Sequence, residues 1–194
     1  DGGNNAITGL LSLLCALPLA DGPCKEALKD LNALLPHGDY LGRALGIAQE
    51  EPVAGPLTVA FTLLEVTDTG LEGRFDSRVP LCATEENCLQ VAKAAFEARG
   101  FTFEGEQDQP HHTPADSSFV QLLLQRYEEY SGLKGECLST GGGTYVHDIP
   151  GGVAFGCTLP GFEPHAHGAD ERVRISDLML SAKLFTHIII DLCT

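Results

Sequence analysis

The segment His165-Ala166-His167-Gly168-Ala169-Asp170-Glu171 packs two imidazoles and two carboxylates into a short stretch. Imidazole nitrogen and carboxylate oxygen are the donors that zinc and manganese accept. A catalytic metal takes about three protein ligands and an open position, so such a segment can supply part of a metal site. The other reading is a solvated acidic loop. Gly141-Gly142-Gly143 is a second candidate. Glycine lets the backbone approach a ligand closely or adopt φ > 0, but a phosphate loop needs Gly-Lys-Ser/Thr or G-x-G-x-x-G opening a helix. Neither is present here, and the next residues read as strand, so a tight structural bend is the alternative. Arg78 is the third candidate, because an Arg fork can hold a carboxylate bidentately. An ion pair with Asp76 is the competing reading. His111-His112 lies in a Pro-rich stretch and reads as an exposed pair. No Gly-x-Ser-x-Gly elbow is present, so a serine hydrolase has no support.

The elements that must carry these residues can be read from hydrophobic period. Ala6, Ile7, Leu10, Leu11, Leu14 and Leu17 recur at helical spacing, with Asn4 or Asn5 as cap and Pro18 as stop. Cys24 to Leu35 forms a second amphipathic helix ended at Pro36-His37-Gly38. Leu57–Val66 and Leu71–Val79 read as strands joined by Thr67-Asp68-Thr69-Gly70. Side chains alternate along a strand, so Glu72, Arg74, Asp76 and Arg78 share one face. Thr84 caps a helix closed by Gly100, and Phe101 and Phe103 begin another strand. Between Glu104 and Ser117 the composition turns to Gly, Gln, Asp, Pro and His, which marks a boundary. A helix then runs to about Gly132. A last helix starts near Ser176 with Leu178, Ala182, Phe185, Ile188, Ile189 and Leu192 as its apolar side. The expected class is α+β, an antiparallel sheet with helices on one side.

Composition narrows the partners. The 194 residues hold 12 Lys and Arg against 27 Asp and Glu, a formal charge of −15. Phosphate binding needs clustered Lys and Arg, so nucleic acid and anionic membrane surfaces are not expected. No apolar run approaches the roughly 18 residues of a membrane span. The seven cysteines form no C-x-x-C pair. They read as small buried hydrophobes in a reducing compartment, with the cytoplasm as the expected location. The opening Asp1-Gly2-Gly3-Asn4-Asn5, without Met, reads either as the start of a fragment or as that of a chain from which a longer N-terminal part was removed.

Three motifs occur in order. They are Thr140-Gly141-Gly142-Gly143-Thr144-Tyr145-Val146-His147, Gly151-Gly152-Val153-Ala154-Phe155-Gly156, and His167-Gly168-Ala169-Asp170-Glu171. Together they resemble the C-terminal signature of bacterial dinuclear-metal dipeptidases, the dipeptidase V (Xaa-His dipeptidase, Sapep-like) branch of the aminoacylase and carboxypeptidase G superfamily. Leu57-Thr58-Val59, Arg78-Val79-Pro80 and the stretch His112 to Gly132 add to the resemblance. The opening Asp1 to Ala6 resembles the residues directly after the family's His-Ala-Ser-x-Pro motif.

The resemblance implies a longer enzyme whose α/β catalytic domain holds two zinc or manganese ions and carries an inserted lid. Residues 1–110 would be the later part of the lid and 111–194 the C-terminal return segment of the catalytic domain. His167 matches the last metal ligand. Arg78 matches the lid-side Arg that grips the substrate's C-terminal carboxylate, and Gly141, Gly142, Gly143 and Thr144 match a loop lining the substrate pocket. His147 stands where some relatives have Arg. The general base matches nothing here and is expected upstream, so this chain alone is expected to be inactive. The implied partners are a dipeptide, the missing N-terminal part of the same protein and a second copy in a homo-oligomer. The alternatives are a non-catalytic lid or dimerisation module, or an inactive relative.

Overall fold

The computed structural model describes residues 4–156 and 158–194. The expectations that touch Asp1 to Gly3 and Cys157 lie outside the described residues. The chain parts into two units. One runs to Pro110 and takes in Ser139–Gly142; the other comprises His111–Leu138 and Gly143–Thr194.

In the first unit, helix α1 (Ala6–Ala16) starts where Asn5 accepts a hydrogen bond from Thr8 N at 3.0 Å. This satisfies one of the donors that a helix start leaves without a partner. The same side chain donates to Phe61 O at 2.8 Å and fastens α1 to the sheet. Helix α2 (Pro23–Leu34) begins on a proline, whose missing N–H would have had no partner there. Its Leu28, Leu31 and Leu34 are buried. Two short strands, β1 (Glu50–Glu51) and β2 (Gly55–Pro56), form a small antiparallel ladder that the sequence pattern did not signal.

Strands β3 (Thr58–Val66) and β4 (Leu71–Arg78) pair antiparallel from Thr58↔Arg78 to Val66↔Leu71, with an irregularity between Phe61 and Leu63. Val59 and Phe61 point into the core, while Glu72, Arg74, Asp76 and Arg78 are all exposed. Thr84 and Asn87 then make a reciprocal capping box. The helix opens with one π turn (Glu85–Leu89) before continuing as α3 (Gln90–Glu97).

The strand expected at Phe101 and Phe103 does not form. Both rings instead stack around Phe96, with centroids 6.1 and 5.6 Å away, and Phe101 N bonds back to Phe96 O. An extended aromatic segment can satisfy its apolar groups in such a cluster without any strand beside it. The sheet therefore stays two-stranded.

In the second unit, α4 (Ser118–Ser131) is capped by Ser117 and ends at Gly132 with φ 69°. The long α5 (Ile175–Cys193) packs on it, with Leu123, Leu184 and Ile188 as the buried cluster. The apolar side expected for α5 needs correction. Of its six residues only Ile188 is buried; the buried face is Asp177, Ser181, Leu184 and Ile188. Because α5 is apolar nearly all round, period alone offers several faces of similar strength.

The strand expected after the glycine run is also absent, and residues 145–151 form turns. The cysteine expectation fails in part. Among the described residues only Cys88 is buried; Cys24, Cys82, Cys137 and Cys193 are exposed and Cys15 is intermediate. Burial pushes the Cys88 thiol pKa up. All six described cysteines are free.

Candidate functional site

Arg78 ends β4, on the face that alternation leaves to solvent. Its Nη2 lies 3.1 Å from Asp76 Oδ2, with both side chains 53% exposed. The simple ion pair is therefore present. The glycine run comes to the same place. A Cβ built on Gly141 would stand 3.4 Å from Arg78 Cγ and 3.6 Å from its Cβ, so the backbone at Gly141 lies along the arginine's aliphatic stem. Chain distant in sequence is thereby folded onto the β4 terminus within one unit. None of the three glycines uses a left-handed φ. At Gly141 a Cβ would meet the arginine stem at ordinary van der Waals distance, so the contact itself does not require glycine.

Gly143, Thr144, His147 and His167 belong to the second unit. There the chain after the glycines turns back on itself, with His147 N bonding Thr144 O and Gly152 N bonding Ile149 O. His111 Nε2 and Thr113 Oγ1 both donate to Gly152 O, at 2.7 and 2.6 Å. The rings of His111 and His147 lie 6.0 Å apart. His111 is thus half-buried and bonded, whereas its sequence context reads as exposed. Its position beside Pro110 gave no signal of a partner some forty residues downstream.

His167 is exposed at φ 60°, and His165 (φ 52°) and Asp170 (φ 58°) share the left-handed conformation. Three such non-glycine residues in six positions store strain of about 1–2 kcal/mol each. The loop is held by Gly168 N to His165 O, Arg172 N to Pro164 O, and His165 Nδ1 donating to Ala169 O at 3.3 Å. His165 is therefore tied to its own loop, while the His167 ring makes no hydrogen bond among the described residues. Among the described residues, no three His, Cys, Asp or Glu side chains come together as a metal-holding group. These residues by themselves do not assemble a metal centre, and His167 offers a single imidazole.

Fold and site together define a mixed α+β protein with small antiparallel sheets and an arginine–glycine contact at a strand end. No protein-family model matches the chain. Curated relatives do. It is 34% identical over 157 residues to YtjP of Bacillus subtilis, which carries a provisional dipeptidase name; the match covers 80% of this chain and 33% of that protein. It is 29% identical over 192 residues to the Beta-Ala-Xaa dipeptidase of Lactobacillus delbrueckii subsp. lactis, covering 98% and 40%. A Staphylococcus haemolyticus protein, SH1171, also provisionally named a dipeptidase, matches at 29% over 194 residues, covering 98% and 41%. The chain spans between a third and about two fifths of the length of these relatives. The similarity supports a dipeptidase family.

Proposed function

We propose that this chain is the C-terminal part of a metal-dependent dipeptidase of the dipeptidase V branch, which hydrolyses the peptide bond of dipeptides. The reading assigns residues 1–110 to the later part of a lid and 111–194 to the return segment of the catalytic domain. Arg78 holds the substrate's free carboxylate and fixes its register, which is how a short substrate is oriented for attack. Gly141, Gly142, Gly143 and Thr144 line the pocket, and His147 comes next to them in the chain. His167 is one ligand to a pair of zinc or manganese ions, which would activate the attacking water. The other ligands and the general base come from polypeptide outside this chain.

The observation that carries the reading is the contact of Gly141 with the Arg78 stem. Two motifs singled out separately in the sequence meet there, as a pocket lining and its carboxylate anchor should. Support also comes from relatives that bear dipeptidase names along nearly the whole chain.

The test is hydrolysis of β-alanyl-alanine with added Mn or Zn. The 194-residue chain alone is expected to be inactive and to bind zinc weakly. Robust turnover by it would overturn the placement of the base and remaining ligands elsewhere. In the longer protein, activity is expected, and His167→Ala should lower the bound metal; unchanged metal content removes the ligand role.

A further inference from the structure

We propose that Asp76 is a positioning residue that competes with the substrate for Arg78 and thereby sets how strongly the site takes a carboxylate. This rests on the reading of Arg78 as the carboxylate anchor. Along the exposed face of β4 the charges alternate as Glu72, Arg74, Asp76 and Arg78. They pair within the strand: Arg74 Nη2 lies 3.0 Å from Glu72 Oε1, and Arg78 Nη2 lies 3.1 Å from Asp76 Oδ2.

The opposing strand offers no competing charge at this end. Ala60 faces Asp76 and Thr58 faces Arg78. Asp76 is the acid with which Arg78 forms its ion pair, Nη2 standing nearest its Oδ2. Gly141 lies beside the Cβ and Cγ of the stem, and the half-exposed guanidinium head lies beyond that contact. A bidentate carboxylate needs two parallel N–H donors from one edge of the fork. A ligand using Nη2 must displace the Asp76 carboxylate, and a ligand using the other nitrogens still feels its negative charge. Half exposure screens both effects. The consequence is a few-fold change in affinity, with the fold unaffected.

The experiment tracks the Arg78 Nε–Hε resonance of the full 194-residue chain by NMR during titration with β-alanyl-alanine. Acetate supplies the carboxylate alone, and β-alanyl-alanine amide lacks it. Arg78→Lys assigns the signal. Wild type is expected to respond to the first two ligands and not to the amide. Asp76→Asn should tighten both by about two- to fivefold, the range an exposed ion pair supports. Asp76→Ser should do the same, and Asp76→Glu should return the midpoint toward wild type. If wild type responds but neither Asp76→Asn nor Asp76→Ser tightens binding, the competitor role is overturned while the anchor reading stands. If no variant responds to any carboxylate, the anchor reading fails and takes this inference with it.

Discussion

Arg126 and Asp191 join α4 to α5 with an Nε–Oδ2 distance of 2.5 Å, and Arg126 also pairs with Glu129. The hydrogen bond from Arg126, aided by the charges of Arg126 and His187, holds the Asp191 carboxyl below the usual carboxylate range against the opposing effect of burial. A lowered folded-state pKa means that the unfolded chain binds the proton more readily. The stabilisation is then complete above the ordinary Asp value of about 3.9 and is lost as pH falls through the lower folded value. Melting curves at pH 7 and pH 3 should show this loss in wild type, and Asp191→Asn should lack that part of it. Asp177 is a buried acid whose oxygens are hydrogen-bonded. Its carboxylate is 4% exposed and is held by Arg174 Nε at 2.8 Å and Ser176 Oγ at 3.1 Å. Nothing in the spacing of α5 signalled a buried acid, because its partners lie in the turn before the helix and at its first residues.

Elements with a local cause were legible in the sequence. Asn5 and Thr84, both legible as caps, reach the backbone N–H three residues on, and Ser117, which the spacing did not single out, does the same. The β3–β4 hairpin results from alternation and a turn closed by Thr67 N to Gly70 O. Helix α5 was legible as a helix but not in its orientation. Leu184 is 1% exposed, whereas Leu178, Phe185, Ile189 and Leu192 are each more than two fifths exposed. Leu184→Ala should therefore destabilise the second unit by about 2–5 kcal/mol. Ile189→Ala should change it by less than about 0.5 kcal/mol, the usual range for a surface substitution. Chemical denaturation of the two variants checks this, and equal losses would mean that the outer face is packed too.

The chain as a whole leaves much apolar surface uncovered for a protein of charge −15. Ile175, Leu178, Met179, Ile189, Ile190 and Leu192 on α5 are all at least half exposed. Exposed apolar side chains in this number on one helix favour association. Light scattering of the isolated chain should accordingly show mass above monomer at high concentration, and a clean monomer would speak against a pairing role. Among the described residues, no helix is long and apolar enough to cross a membrane. The sequence by itself determined what depends on neighbours within a few residues: caps, the hairpin, the α3 start, and the residue types able to bind metal or carboxylate. Only the tertiary structure decided which face of α5 is buried, that Phe101 and Phe103 cluster instead of pairing as strand, and that Gly141 lies on Arg78. Those outcomes are contacts between segments far apart in the chain, and no local period encodes which distant surface a residue will meet.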